Sequence, residues 1–391
     1  MSEEKLVPKL RFSGFNDEWK SYRIGDISKT YSGGTPSTSK KVYYYGNIPF
    51  IKSGEINKSC TEQYINEDAI NNSSAKKVKK GDLLLALYGA TSGEVAISKI
   101  DGAINQAVLK IDNNMDNYFQ YNYFLKYKEK IIHKYLQGGQ GNLSANIIKK
   151  LEFKFPKMEE QQKISRFLLL IDEKIQLLKK KHKEYQNFKK YLMQQIFTQK
   201  LRFNFTDEWE KYLLGDISLI GKGFTPSTSN PSFWDGDLKW LSIADMNQGK
   251  YINQTTKKIT SDGSKNKEPV KKGTLLMSFK LSIGKLGILT EDMYTNEAIC
   301  NFKWKNKDVL TEYMYYYLSS INILKYGSQA AKGITLNNET LSTIPVLLPS
   351  LEEQKKIINI LSDVDMKINM LENSINDTSK FKKGLLQQMF V

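Results

Sequence analysis

The sequence predicts an α+β protein with a pseudo-two-fold internal repeat: two β-rich α+β domains separated by two long antiparallel coiled-coil helices. Three observations carry this prediction. LRFSGFNDEW at 10–19 returns as LRFNFTDEW at 201–209, and each copy is followed by GDIS, at 25–28 and 215–218. Two segments step through heptads of apolar residues. The rest reads as short apolar runs such as IPFIKS (48–53), DLLLALYG (82–89) and LEFKF (151–155), punctuated by Gly, Ser, Asn and Thr, the texture of a sheet-rich domain with many loops.

The repeat sets the boundaries. Trp19 and Trp209 are 190 residues apart, as are the TPSTS stretches at 35–39 and 225–229, whereas VKKG at 78–81 recurs at 270–273, an offset of 192. Pro156 and Pro349, EEQ at 159–161 and 352–354, and Phe197 and Phe390 are all 193 apart. Insertions therefore accumulate in the domains and stop at the proline, which divides the 391 residues into a domain at 1–155, a helix at 156–203, a domain at 204–348 and a helix at 349–391.

The segment without insertions is the one whose register matters. Ile164, Leu168, Ile171, Ile175, Leu178, His182 and Tyr185 step by alternating fours and threes, and Ile357, Leu361, Val364, Ile368, Leu371 and Ile375 repeat the pattern. That is the a/d seam of a coiled coil. Ser350-Leu351-Glu352-Glu353 after Pro349 reads as a capping box with Glu353 reaching back to the cap. In the first copy Lys157 stands at the cap, and Glu159 and Glu160 suit the positive end of the helix dipole. Each helix is expected to run about 40 residues, or ~60 Å. PKLRF at 8–12 matches the end of TQKLRF at 198–203, so the N-terminal PKLRF stands where the second helix would continue, and a closed ring would bring Val391 near Met1.

Within each domain, YFQYNYFLKYKEKII (118–132) and LTEYMYYYLSSINIL (310–324) predict matching amphipathic helices. Their aromatic faces read as core rather than as a stacking platform.

The net charge of +16 and sequence pI near 9.3 have two readings, a polyanionic partner such as nucleic acid or a lysine-rich proteome. Cys60 and Cys300 stand alone, which fits a reducing cytoplasm. MSEEK lacks the features of a signal peptide, and the densest apolar run, FLLLI at 167–171, is too short to cross a bilayer.

Catalytic patterns are absent. Two histidines, His133 and His182, and two separated cysteines do not make a zinc site. No string has the spaced glycine and GK[ST] ending of a phosphate loop, and GGQGN at 138–142 lacks dinucleotide-binding spacing. NIPF (47–50) and NPSF (230–233) each fall one proline short of the Asn/Asp-Pro-Pro-aromatic motif of adenine methyltransferases and do not align across the repeat.

Four motifs, each present twice and in the same order, span the chain. They are W-x4-[IL]-G-D-I (Trp19–Ile27, Trp209–Ile217), glycine before TPS (33–37, 222–227), KKG-[DT]-LL leading into YGATSG (88–93) or KLSIG (280–284), and P-x-x-E-E-Q-x-x-I at the helix starts. In this the chain resembles the specificity subunit of type I restriction–modification systems. The resemblance implies two target-recognition domains, each reading half of an asymmetric bipartite site on double-stranded DNA, and paired helices that set the unread spacer. It implies a non-catalytic subunit that carries two modification (adenine methyltransferase) subunits and, through them, restriction/translocase subunits. It also implies that S-adenosylmethionine, ATP and Mg belong to those partners and that this chain binds no cofactor, metal or membrane.

Loops that differ between the copies while flanked by shared frame are the candidates for DNA contact. In the first domain these are Ser37, Thr38, Lys40, Lys41, Tyr43, Tyr44, Lys52, Ser53, Glu55, Tyr88, Thr91, Ser92, Gln137, Gln140 and Asn142. In the second they are Ser227, Ser229, Asn230, Lys239, Asp245, Asn247, Lys280, Ser282, Lys332 and Thr335. Lysines would neutralise phosphate, and Gln, Asn, Ser and Glu have the geometry for base edges. TPSTS itself, shared by both copies, reads as a turn that shapes the domain. KKKHKEY at 179–185 is either a solvated helix face or a surface along the spacer phosphates. The resemblance places docking of methyltransferase subunits near Gln162, Lys163, Arg166, Lys355, Lys356 and Asn359. Its rivals are a stand-alone two-headed DNA-binding regulator, an RNA-binding scaffold and a complete restriction–methyltransferase enzyme.

Overall fold

The computed structural model describes residues 7–136, 142–280, 282–330 and 333–391. Among them four helices reach ten residues or more: α1 (Asn117–Leu136), α2 (Met158–Phe197), α3 (Thr311–Ser320) and α4 (Leu351–Met389). At 40 and 39 residues, α2 and α4 have the length expected from the heptads. The chain forms two compact units, residues 1–179 with 373–391 and residues 180–372, so each unit holds part of both long helices.

In the first unit the strands Lys29–Ser32, Val108–Asp112, Leu83–Ala86 and Val95–Ile97 form an antiparallel sheet in that order. A second sheet joins Tyr64–Ile65, Ile48–Ile51, Gly102–Ile104 and Lys76–Val78, with one parallel pair, Ile48–Ile51 beside Gly102–Ile104. Lys20–Arg23 pairs antiparallel with Glu152–Phe155, so the strand entering the domain is stitched to the strand leaving it. The core joins Trp19, Ile24, Leu83, Leu85, Phe119, Tyr123, Phe124, Phe153 and Phe155 to the α2 residues Ile164, Leu168, Ile171 and Ile175, and to Leu385, Leu386, Met389 and Phe390 of the final segment.

The second unit repeats the plan. Glu210–Leu213 pairs with Pro345–Leu348, and Ser218–Lys222, Ile299–Trp304, Leu275–Ser278, Leu286–Leu289 and Tyr251–Ile252 form a five-stranded sheet. Its core packs Leu192, Met193 and Ile196 of α2 and Ile357, Leu361 and Val364 of α4 against Trp209, Tyr313, Tyr316 and Tyr317. The two helices run antiparallel here: Lys189 pairs with Asp365 at 2.6 Å, and further along the chain Arg202 pairs back with Glu353 at 2.7 Å. The aromatic faces of α1 and α3 are core, as predicted, with Phe119, Tyr123, Phe124, Tyr313, Tyr316 and Tyr317 all buried. α3 stops at Ser320 rather than running to 324, because Asn322 caps a new 3₁₀ turn at Ile323–Tyr326.

The capping box needs a correction. Ser350 Oγ accepts the Glu353 amide at 3.4 Å, but the Glu353 carboxylate turns to Arg202 and to Trp209 Nε1 instead of its own cap. Glu160 likewise accepts from Arg11 Nε and Nη2, each at 2.8 Å. The repeated LRF and EEQ are therefore the two halves of one joint. The glutamine completes it: Gln161 Nε2 donates to Pro156 O and its Oε1 accepts the Asp116 amide, and Gln354 does the same with Pro349 O and the Leu310 amide. The predicted continuation is present too. Leu10 N donates to Gln388 O at 2.9 Å, the counterpart of Leu201 N on Gln195 O at 3.1 Å.

Candidate nucleic-acid interface

The TPS loops are held by a second repeated motif, Asn-[Gln/Glu]-Ala at 105–107 and 296–298. Thr35 Oγ1 donates to Gln106 Oε1 at 2.5 Å, and Thr225 Oγ1 donates to Glu297 while accepting from Asn296 Nδ2. Asn105 and Asn296 each close their turn on the amide two residues on. Glycine is required before TPS: a Cβ on Gly33 would sit 1.7 Å from Ile104 O, and one on Gly223 2.0 Å from Thr295 O. The loop then bends on itself through Ser37–Ser39 and Ser227–Ser229 hydroxyl contacts of 2.7 and 2.8 Å. TPSTS is thus frame, with exposed hydroxyls.

Three candidate readers turn out to be interior. Tyr43 is buried beneath Lys40, whose Nζ lies 5.2 Å from its ring centroid. Glu55 is 5% exposed, and its oxygens accept the Lys52 and Glu62 amides. Asp245 is 7% exposed and accepts the Ser242 amide, the Ser242 hydroxyl and the Thr256 amide. Both carboxylates pin the same turn in each copy, and a buried acid already bonded to backbone donors is not presented to a base. The signal was in the spacing, since Glu55 and Asp245 sit at the frame offset of 190.

The other residues of the first domain gather in two places. Thr38, Lys41, Tyr44 and Lys52 line a cleft of about 450 Å³ together with Tyr45, Gln63 and Asn105, and Ser37 and Lys40 stand exposed beside it. Tyr45, 75% exposed, was missed from sequence. Ser53 abuts Gly89 of the second group, where Tyr88 and Thr91 are half-buried and Ser92 Oγ donates to Leu87 O. Burial pushes the Tyr88 phenol above its ordinary pKa, so it stays a donor. Asn142 is exposed next to Leu143, whose amide bonds Leu87 O. Gln137 and Gln140 lie outside the described residues.

In the second domain Ser227, Ser229, Asn247, Lys280 and Ser282 are exposed. Asn247 Oδ1 accepts Lys285 Nζ at 2.7 Å, which ties its turn to the 280–285 loop. Asn230 is occupied as the cap of the 3₁₀ turn Pro231–Phe233, and Lys239 is held by Glu291 and Asn253 O. Lys332 lies outside the described residues, and Thr335 is described only as the end of the strand Gly333–Thr335.

Gln162, Lys163, Arg166, Lys355, Lys356 and Asn359 are all exposed, with Lys163 over the Phe12 and Phe15 rings. The helix faces are less polar than the sequence implied: Leu170, Leu177, Phe188, Tyr191, Met366, Met370 and Phe381 are also exposed. Under these faces each unit has a carboxylate latch. Tyr118 and Lys382 both donate to Asp172, and Tyr316 and Lys189 both engage Asp365. Burial, then the carboxylate, raises Tyr118 and Tyr316, and burial lifts neighbouring Tyr121 and Tyr315 to about 12, so all four phenols remain protonated.

Residues 16–186 and 206–378 each match the type I restriction modification DNA specificity domain, and the chain belongs to that family. It is 22% identical to the type I restriction enzyme HindI specificity subunit of Haemophilus influenzae, over 92% of this chain and 95% of that one. It is 29% identical to the MjaIX specificity subunit of Methanocaldococcus jannaschii, over 46% of this chain and only 42% of the relative's length. The fold matches the crystal structure of a type I restriction-modification system S subunit from M. genitalium, with TM-score 0.63, 16% identity, and coverage of 98% of this chain and 99% of that one. No helix among the described residues is long and apolar enough to cross a membrane.

Proposed function

We propose that this chain is the DNA-reading subunit of a type I restriction–modification assembly. Each domain reads one half of an asymmetric bipartite site on double-stranded DNA. The paired α2 and α4 set the unread spacer and carry two adenine-methyltransferase subunits, and restriction/translocase subunits join through these. The chain contributes recognition and no chemistry; S-adenosylmethionine, ATP and Mg act on its partners.

One observation carries the reading. The two domains keep one frame, with TPS followed by a 3₁₀ turn at Lys41–Tyr44 or Pro231–Phe233, yet present different side chains on it. Lys40, Lys41 and Tyr45 in one correspond to Asn230, Pro231 and Asp235 in the other. Two readers of one design and unlike surface select a split, non-palindromic sequence, whereas identical readers would select a palindrome. A stand-alone regulator draws no support from relatives that are named as restriction-enzyme subunits.

The test is a single-molecule methylome of cells with and without the gene, alongside co-purification of the tagged chain. The expected outcome is loss of one bipartite methyladenine motif and recovery of an adenine methyltransferase. If every motif survives the deletion and no methyltransferase is recovered, the assignment is wrong.

A further inference from the structure

Among the described residues the second unit contains a half-buried polar cluster centred on Lys250. Lys250 follows Gly249, which has a φ of 93° and ends the turn Ala244–Gln248. Its ammonium points inward, with its side chain 11% exposed. There Nζ meets Glu312 Oε2 at 3.1 Å, Tyr316 Oη at 3.2 Å and Ser362 Oγ at 3.2 Å, and it lies 4.6 Å from the Tyr316 ring centroid. Tyr316 and Ser362 belong to the cluster that includes Asp365 and Lys189, so one cation touches α3 and α4 at once and α2 at one remove. Tyr251, the next residue, donates to Glu312 Oε1 at 2.5 Å.

The backbone carrying Lys250 is stiff. Gln248 Nε2 donates to Asp245 O and Gln254 O, its Oε1 accepts the Asn253 and Gln254 amides, and Lys250 O accepts the Ile288 amide. The turn from Asp245 to Gln254 thus behaves as one body, with Asn247 on its outer side and Lys250 on its inner side. The matching turn of the first domain is four residues shorter, since Glu55 accepts the Glu62 amide where Asp245 accepts that of Thr256, so Lys250 lies in a stretch that the second domain has in addition.

We propose that Lys250 is a positioning residue: it fixes the second domain's 244–249 turn to the helix pair, so discrimination at one half-site depends on a cation that does not touch DNA. A half-buried ammonium held by one carboxylate, a phenol and a hydroxyl constrains the geometry of all three, and registry is the best-attested use of such clusters. The proposal rests on the recognition reading above.

The experiment follows the methylated motif in cells carrying the full assembly. The half-site read by the second domain is assigned first, by exchanging residues 204–348 for those of a relative. Lys250→Met with Glu312→Gln removes cation and counter-charge together and leaves no lone buried charge. The expected result is a relaxation of about tenfold or more at the second half-site, with the first half-site and the spacer unchanged. Lys250→Arg should restore discrimination, and Ser362→Ala should relax the same half-site by less, which keeps the test available if the double variant accumulates poorly. Wild-type discrimination in the double variant, or an equal loss at both half-sites, overturns the proposal. A wild-type chain that supports no methylated motif would overturn the recognition reading instead.

Discussion

Arg11 and Arg202 each lay a guanidinium across the second glutamate of an EEQ triplet, and the hydrogen bond to that glutamate raises each arginine's pKa. In the second unit Glu353 Oε2 also accepts Trp209 Nε1 at 2.9 Å, and the Arg202 guanidinium lies 5.4 Å from the indole centroid. In the first unit Trp19 Nε1 is buried with no partner among the described residues, its ring facing Phe119 and Phe390. The loop from Arg11 to Trp19 is one residue longer than that from Arg202 to Trp209, so the same words are set at different spacing. The second joint is built on hydrogen bonds around one carboxylate, and the first leans on aromatic packing.

This contrast can be broken from either side, read out by amide hydrogen exchange resolved to each unit. The largest effect is expected for Phe390→Ala, whose ring is 2% exposed and 4.8 Å from that of Phe119. It should cost the first unit ~3–5 kcal/mol, against roughly 1–2 kcal/mol in the second unit for Phe197→Ala, a half-buried ring. Equal losses would mean the joints are built alike.

Next comes Glu353→Ala, which strands Arg202 and the Trp209 indole N–H together and should cost about 3–5 kcal/mol. Glu160→Ala strands Arg11 alone and should cost ~1–2 kcal/mol less, the value of one further buried donor. The smallest and sharpest test is Trp→Phe at each joint. Trp209→Phe should cost about 2 kcal/mol more than Trp19→Phe, because only the former loses a hydrogen bond to a charged group. If the two substitutions cost the same, the Trp209–Glu353 bond contributes nothing.

The helices, their antiparallel pairing and the N-terminal segment at the end of α4 could be read from the sequence because each depends on local periodicity or on a repeated word at constant offset. The destination of Glu353 could not. A capping box and an inter-element ion pair use the same residue types, and only the fold shows that Arg202 outcompetes the helix's own cap. Of the candidate loop residues, the sequence did not tell interior from exposed ones. Glu55 and Asp245 are acids at matching frame positions, and matching positions mark scaffold. Lys250 was invisible for the opposite reason: nothing in the local sequence distinguishes an inward lysine on a turn from the many solvated ones.

The joint at Leu10 and Gln388 also orders events during synthesis. The second unit is a continuous run, 180–372, and every residue of its core has been made before the last helical turns emerge. The first unit begins at the N-terminus yet keeps a place in its core for Leu385, Leu386, Met389 and Phe390. The core of the domain translated first is therefore the one that waits for the later residues. A chain interrupted within residues 373–391 would leave the first unit's core incomplete and that of the second unit whole.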